Sequence, residues 1–449
     1  MTQTTGQHIK QTARDHYLFP LAPAEDVRED GMMLFTRGEG ATLTDVDGND
    51  YLDMMGSGTR ATSLGYGQEE IARAVYNQLV GLHYVGTVQN QADVVIELAA
   101  KLADLAPGRL GVSFFVGSGS EANEAAFKLA KQYHFHRGNK PRAHKIVSRW
   151  NAYHGATMGA QAATDWLGTR YISEPGVPGY SHIPAPTCYR CPFSLEYPSC
   201  NLLCAQYLDL HIQHEGPEFV AAFIAEPVMQ ANGVQIPPPE YFPMVRDICK
   251  KYEVLFIGDE IITGFGRTGE WFALNHWDVE PDIMTIAKAM TSGYFPMGGM
   301  VTRPDITETL PAFLHVQTYN GHPAGAAAAL ANISIYERNN LVARSKELGA
   351  YALDLLKPLE RHPSVGQVRG LGLWLAVDFT ADKATKAPFA DDTVKAVARR
   401  ARDLGVLVGP IGTAVEIAPP LTSTREELAK MATVMDRAIT DIERERNIG

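Results

Sequence analysis

The chain of 449 residues carries a formal net charge of −11, with 45% hydrophobic and 20% charged residues. That balance excludes an extended disordered chain and speaks against a nucleic-acid partner, which needs clustered excess Lys and Arg. No run reaches the roughly 18 apolar residues of a membrane span and the N-terminus lacks the apolar core of a signal peptide, so a soluble cytoplasmic enzyme acting on small molecules is expected, in two or more lobes.

Residues 36–53, TRGEGATLTDVDGNDYLD, combine β-formers with a turn at Asp47-Gly48 and predict a hairpin in a small N-terminal segment, 1–67. QEEIARAVYNQL and ADVVIELAAKLADLA then place apolar residues at helical spacing, and GVSFFV follows as a strand. KIVSRW, FVAAFIAEP, VLFIGDE and DIMTIAKA repeat the strand pattern, with helix-like segments such as EYFPMVRDICKKYE between them. This alternation predicts a largely parallel sheet covered by helices on both faces across 68–325, with its ligand site beyond the carboxyl ends of the strands. From residue 326 a long helix, a GLGLWLAVDF strand and closing helices from about 391 predict a smaller lobe, 326–449, joined in space to the N-terminal segment.

Three stretches can carry chemistry. LFIGDE ends an apolar run in two adjacent carboxylates, Asp259 and Glu260, and a charge there meets a ligand if the run is a buried strand. VGSGSEANEAAFKLAKQY passes from strand to helix through Gly117, Ser118, Gly119 and Ser120, where free N–H groups and the helix dipole can receive an anion. The same turn also serves as a plain helix cap, and it matches neither the P-loop nor the dinucleotide fingerprint. Lys288 ends the apolar run PDIMTIAK, either as a snorkelling surface group or as a desolvated amine able to form a Schiff base.

GSGSEAN, NAYHGATMGA, EPVMQANGV, DEIITGFGRTG, the Lys288 segment and QTYNGHP follow one another in the order and approximate spacing of the class III aminotransferases, and the sequence resembles that family over about residues 30–440. The resemblance implies an α/β fold of the fold-type I class: a large domain with a mostly parallel seven-stranded sheet sandwiched by helices, and a smaller α/β domain built from both ends of the chain. It implies pyridoxal phosphate (PLP), with its aminated form PMP, as cofactor. Lys288 would hold PLP covalently and move the substrate proton, and Asp259 would keep the pyridine nitrogen protonated so that the ring withdraws electrons. Ser118, Gly119 and Ser120 would take the phosphate, Tyr153 would stack on the ring beside the substrate, and Ile261 would pack on the opposite face. His154 and Glu226 complete the implied cofactor surroundings. Thr318 would reach the phosphate of a neighbouring subunit, so the resemblance implies a homodimer, or dimers paired into a tetramer. The implied reaction is a ping-pong transfer from an amine or an ω- or β-amino acid to a 2-oxo acid such as pyruvate. Racemisation, epimerisation or decarboxylation is the alternative on the same lysine and aspartate.

The chain also departs from the family pattern. Members that accept amino acids carry a glutamine, a glutamate and an arginine where this chain has Ile262, Ala231, and either Gly409 or Glu416. Ile262 and Ala231 look more like the ω-transaminase branch, but the usual carboxylate-binding arginine is absent. Arg60 stands near the expected pocket entrance, either as a bidentate clamp for a substrate carboxylate or as a solvated loop residue. Arg267 reads as a surface or loop-bracing arginine. An insertion at about 184–205 spaces Cys188, Cys191, Cys200 and Cys204 as C-x2-C-x8-C-x3-C. Packed free thiols are the plainer reading, and a tetrahedral zinc ion or an iron–sulfur cluster on the four thiolates, neither of which aminotransfer needs, is the other.

Overall fold

The computed structural model describes residues 6–22, 25, 27 and 32–449. β1 (Phe35–Glu39), β2 (Thr42–Asp45) and β3 (Asp50–Asp53) form an antiparallel meander, and β2–β3 is the hairpin expected at Asp47-Gly48. The Asp45 carboxylate accepts from the backbone N–H of Asp47 and of Asn49, which closes the turn, and Gly48 supplies its φ of +88°.

Seven strands make the large sheet: β4 (Val112–Val116), β5 (Lys145–Arg149), β6 (Tyr180–Ile183), β7 (Val220–Ala225), β8 (Leu255–Asp259), β9 (Ile283–Ile286) and β10 (Gly298–Thr302). Their order is β4-β10-β9-β8-β7-β5-β6. β6, β5, β7, β8 and β9 run parallel, while β10 is antiparallel to both its neighbours. β7, β8 and β9 are buried along their whole length, which is why they read as continuous apolar runs instead of alternating ones. The helix Gly119–Arg137 packs on β7, β9 and β10, and the helix Tyr241–Lys251 packs on β8.

β6 and β10 carry no signal that the strand pattern reveals. In β10, GGMVT, two glycines replace β-formers because the neighbouring chain is too close. A Cβ on Gly298 would stand 2.5 Å from the Ser118 carbonyl oxygen, and one on Gly299 would stand 2.9 Å from that of Phe114.

GLGLWLAVDF is not one strand. β11 (Val365–Gly370) ends at its first glycine, the chain turns through Gly372 at φ +56°, and β12 (Leu375–Phe379) pairs back on β11. The long helix expected after residue 326 is likewise two, Pro323–Arg338 and Leu341–Leu356, broken where Asn340 adopts φ +48°. β13 (Val406–Leu407) lies parallel to β3 and so joins the two ends of the chain. β14 (Gly409–Ile411) and β15 (Ala414–Ile417) complete a sheet in the order β11-β12-β15-β14, with Gly409 opposite Glu416. The closing helix Arg425–Arg446 starts on a capping box, Thr424 with Glu427. No helix among the described residues is long and apolar enough to cross a membrane.

Candidate active site

The carboxyl ends of four parallel strands release the residues that matter. Tyr153 follows β5, Glu226 follows β7, Asp259 is the last residue of β8, and Lys288 follows β9; all four line one cavity of about 170 Å³. Ser118, Gly119 and Ser120 line it too, at the amino end of the helix Gly119–Arg137, and Ser118 caps that helix by accepting from Glu121 N. His154, Ile261 and Ile262 are also part of the wall. A Cβ on Gly119 would meet Ile261 Cδ1 at 3.0 Å, so a larger residue there would press on the Ile261 side chain.

Asp259, 4% exposed, is held by three donors. Asn123 Nδ2 donates to Oδ2 at 2.9 Å, His154 Nδ1 meets the same oxygen at 2.7 Å, and Ile261 N donates to Oδ1 at 3.1 Å. A carboxylate only accepts, which assigns an imidazole proton to Nδ1. Asn123 Nδ2 also donates to the His154 carbonyl at 2.7 Å, tying both supports together. No sequence signal singled out Asn123, although it is the last residue of GSGSEAN, one helical turn into the cradle helix.

The adjacent Glu260 faces the other way. Fully buried, it accepts from Thr263 Oγ1 and from the backbone N–H groups of Ala273 and Leu274 at 2.9 Å each, and burial pushes its carboxyl up to about 7. Of the two carboxylates that end LFIGDE, one braces a loop and one meets the cavity.

Lys288 occupies the left-handed backbone region at φ +45°, an uncommon place for a long side chain. Burial, reinforced by the nearby Arg60 charge, lowers its ammonium to about 8, so a useful fraction is neutral amine near neutral pH. Glu226 is raised by burial; neither of its carboxylate oxygens has a hydrogen-bond partner, and the nearest Arg149 nitrogen is 3.7 Å away. His154 Nε2 is unpartnered as well. Buried polar atoms left unpaired beside a cavity mark a place that receives a polar ligand.

The chain matches the profile described as aminotransferase class-III over residues 24–439. It is 37% identical over 448 residues to the putrescine–pyruvate aminotransferase of Pseudomonas aeruginosa, covering 98% of this chain and 97% of that one. The fold superimposes on an (S)-enantioselective ω-transaminase from Thermomicrobium roseum with a TM-score of 0.94 at 38% identity, over 98% of this chain and 99% of that one. The chain belongs to the class III aminotransferases. An ω-transaminase of Pseudomonas jessenii in complex with PMP gives a TM-score of 0.95 at 32% identity, over 98% of this chain and 99% of that one. PLP is the family's cofactor, and the donor set here suits it. A helix amino end with small residues suits a phosphate, a held carboxylate suits a protonated ring nitrogen, and a depressed lysine suits an aldehyde carbon.

The aminotransferase places the other expected residues less uniformly. Arg60 lines an adjoining chamber of about 790 Å³, which shares Tyr153 and Lys288 with the first cavity. It is 8% exposed, so it is not a solvated loop arginine. Nor is it free: Nε donates to Glu416 Oε1 at 2.7 Å and Nη2 donates to Oε2. Gly409 lines the same chamber opposite Glu416 on the neighbouring strand, so the two alternative alignments converge on one spot. Ile262 lines the small cavity, whereas Ala231 lines neither.

Thr318 is exposed and lines neither cavity; its carbonyl accepts from Tyr84 Oη at 2.8 Å. Arg267 braces a loop, but from a fully buried position instead of the surface. Its Nη1 donates to the carbonyls of Leu373 at 2.9 Å and Pro419 at 2.5 Å, and burial lowers it to about 10. Cys188, Cys191, Cys200 and Cys204 share a separate small cavity of about 20 Å³, all as free thiols. Burial pushes Cys204 up to about 12, and among the described residues no three ligating side chains are arranged to hold a metal ion.

Proposed function

We propose that this aminotransferase moves an amino group from an amine, or from an ω- or β-amino acid, to a 2-oxo acid, with pyruvate as the first acceptor to test. The observation that carries the reading is the junction of the two cavities. Lys288 and Tyr153 belong to both, so a reacting lysine opens onto a chamber walled largely by apolar side chains such as Phe35, Met55, Leu407 and Ile411. An amine with an apolar body fits such a chamber, and the pyruvate-using relative from Pseudomonas aeruginosa supports the acceptor.

Bound PLP supplies an electron-withdrawing ring that stabilises negative charge on the substrate carbon. Ser118, Gly119 and Ser120 would hold its phosphate, Asp259 would keep the ring nitrogen protonated, and Tyr153 and Ile261 would contact the ring. His154 and Asn123 keep Asp259 aimed, while Glu226 offers the cofactor's polar edge an unpartnered carboxyl. Lys288 Nζ takes the substrate proton and returns it. Arg60 receives the acceptor's carboxylate.

A homodimer completes the proposal. The exposed Thr318 is flanked by exposed Leu314, Val316 and Tyr319, and Tyr84, which lies in sequence between the exposed Val80 and Val88, packs edge-on against Tyr319. A second copy covering this apolar face would bring Thr318 to the partner's phosphate. Five free cysteines accord with a reducing cytoplasm.

The test is a donor and acceptor panel read from the cofactor's absorbance. A good donor alone should convert the bound cofactor to its amine form and release a carbonyl product, and pyruvate should then restore the starting spectrum. A cofactor that stays unchanged while the substrate racemises or loses carbon dioxide would replace this reading with the racemase or decarboxylase one. Sedimentation as a monomer would remove the dimer.

A further inference from the structure

We propose that Gln230 is a displaceable stand-in for the acceptor's carboxylate on Arg60, and that Glu416 fixes the opposite edge of the same guanidinium. The inference rests on the acceptor reading above and names the groups that would execute it.

Arg60 and Glu416 meet from positions 356 residues apart. Arg60 lies at φ +62° in the irregular turn Gly56–Arg60, where Ser57 is also left-handed at φ +63°. A long side chain does not favour that region, and the contacts of the guanidinium join those of Asp53, which accepts from Ser57 N at 2.7 Å, in holding the turn. Glu416 is fully buried on β15 and wholly engaged: Oε1 accepts from Arg60 Nε and from Trp374 Nε1, and Oε2 accepts from Arg60 Nη2. Pulling Glu416 away would strand a buried charge, so the Nε–Nη2 edge is a fixture.

The remaining edge behaves differently. With the Gln230 amide turned as its surroundings require, its oxygen stands 2.8 Å from Arg60 Nη1 and 2.9 Å from Nη2. One acceptor bridging both terminal nitrogens occupies the place a carboxylate takes in a forked contact with arginine. The amide is neutral, however, and a charged acceptor makes the stronger bond to the same two donors. Gln230, Arg60 and Lys288 all line the apolar chamber, so a small 2-oxo monocarboxylate entering it can replace the amide oxygen while its carbonyl carbon faces the reacting end. A donor without a carboxylate leaves Gln230 in place.

The experiment titrates the holoenzyme with propionate, an unreactive three-carbon carboxylate, following the cofactor's absorbance and the thermal midpoint. Gln230→Ala removes the competing amide, and propionate should bind about fivefold more tightly. Gln230→Glu installs a charged competitor, and binding should weaken at least about tenfold. Pyruvate KM should move in the same two directions, with kcat moving less. Arg60→Ala and Arg60→Lys should both abolish the propionate response. Arg60→Ala leaves Glu416 without its partner and can unfold the protein, so the two Gln230 variants, which spare the ion pair, are the deciding comparison. Unchanged or weaker propionate binding in Gln230→Ala, or wild-type binding in Gln230→Glu, overturns the inference. Failure of pyruvate to restore the wild-type spectrum would instead overturn the acceptor reading alone, since propionate binding reports on Arg60 without any turnover.

Discussion

At the end of the joined cavity proposed for the cofactor, Asp259 and Lys288 emerge directly from two neighbouring buried strands, whereas at the end proposed for the substrate Arg60, Gln230 and Glu416 arrive from an irregular turn, a loop and a hairpin strand. The first end is rigid because β8 and β9 are paired along their length and buried on both faces, so the side chains at their tips inherit the precision of the sheet. At the second end a buried ion pair ties the irregular turn to the sheet strand that carries Glu416. The contrast teaches that this fold stations its chemistry on the sheet and leaves selectivity to segments that other chains of the same fold can vary.

Substitutions can break or sharpen that contrast. Lys288→Ala should have the largest effect, a loss of about four orders of magnitude or more in kcat, because on the proposed reading one side chain is both covalent anchor and proton carrier. Single-turnover absorbance with an amine donor would reveal it, and a residual rate within about tenfold of wild type would contradict the role assigned to this end. Asp259→Asn keeps the shape but removes the negative charge proposed to face the ring nitrogen, and should cost about 10²–10³ in the rate of proton removal. The donor half-reaction measures that step directly, and the isotope effect with a donor deuterated at the reacting carbon would locate the loss.

Glu260→Gln probes the carboxylate turned away from the cavity. An amide nitrogen would face a backbone N–H of Ala273 or Leu274 that now has an acceptor, with an expected loss of about 2 kcal/mol in stability. The thermal midpoint should fall while PLP binding survives; the reverse pattern would mean that the two carboxylates had been assigned to the wrong faces.

The smallest expected effect links the two ends. Because burial and Arg60 hold Lys288 at about 8, its amine loses the proton as pH rises through that value, and only the neutral form attacks an aldehyde. PLP uptake by the apoenzyme should therefore quicken by about tenfold between roughly pH 7 and pH 9. Arg60→Gln removes a neighbouring positive charge, so the midpoint of that profile should move to higher pH. A profile that does not move would separate the two ends electrostatically.

Much of the cofactor end was legible in the sequence. Strand and helix periods depend on residues a few positions apart, so the apolar runs of β7, β8 and β9 and the helix after GSGS could be read directly. Spacing between motifs then carried the resemblance that assigns Lys288 and Asp259 their parts. Legibility stopped where the cause was not local. β10 is a strand of glycines because of the chain packed beside it, and Asn340 splits a helix that hydrophobic spacing alone runs together. Asp259 and Glu260 are adjacent and chemically alike, and only their opposite partners tell them apart.

By itself, then, the order of residues determined the sheet, the cradle helix, and the lysine and aspartate at the strand tips, since each follows from neighbours within one element or from distances along the chain. Only the tertiary structure decided that Arg60 is spoken for by Glu416, that Gln230 covers its open edge, and that Asn123 and His154 aim Asp259. Those contacts join residues 105 to 356 positions apart, and a charge or an amide in sequence carries no mark of the partner that folding will bring to it.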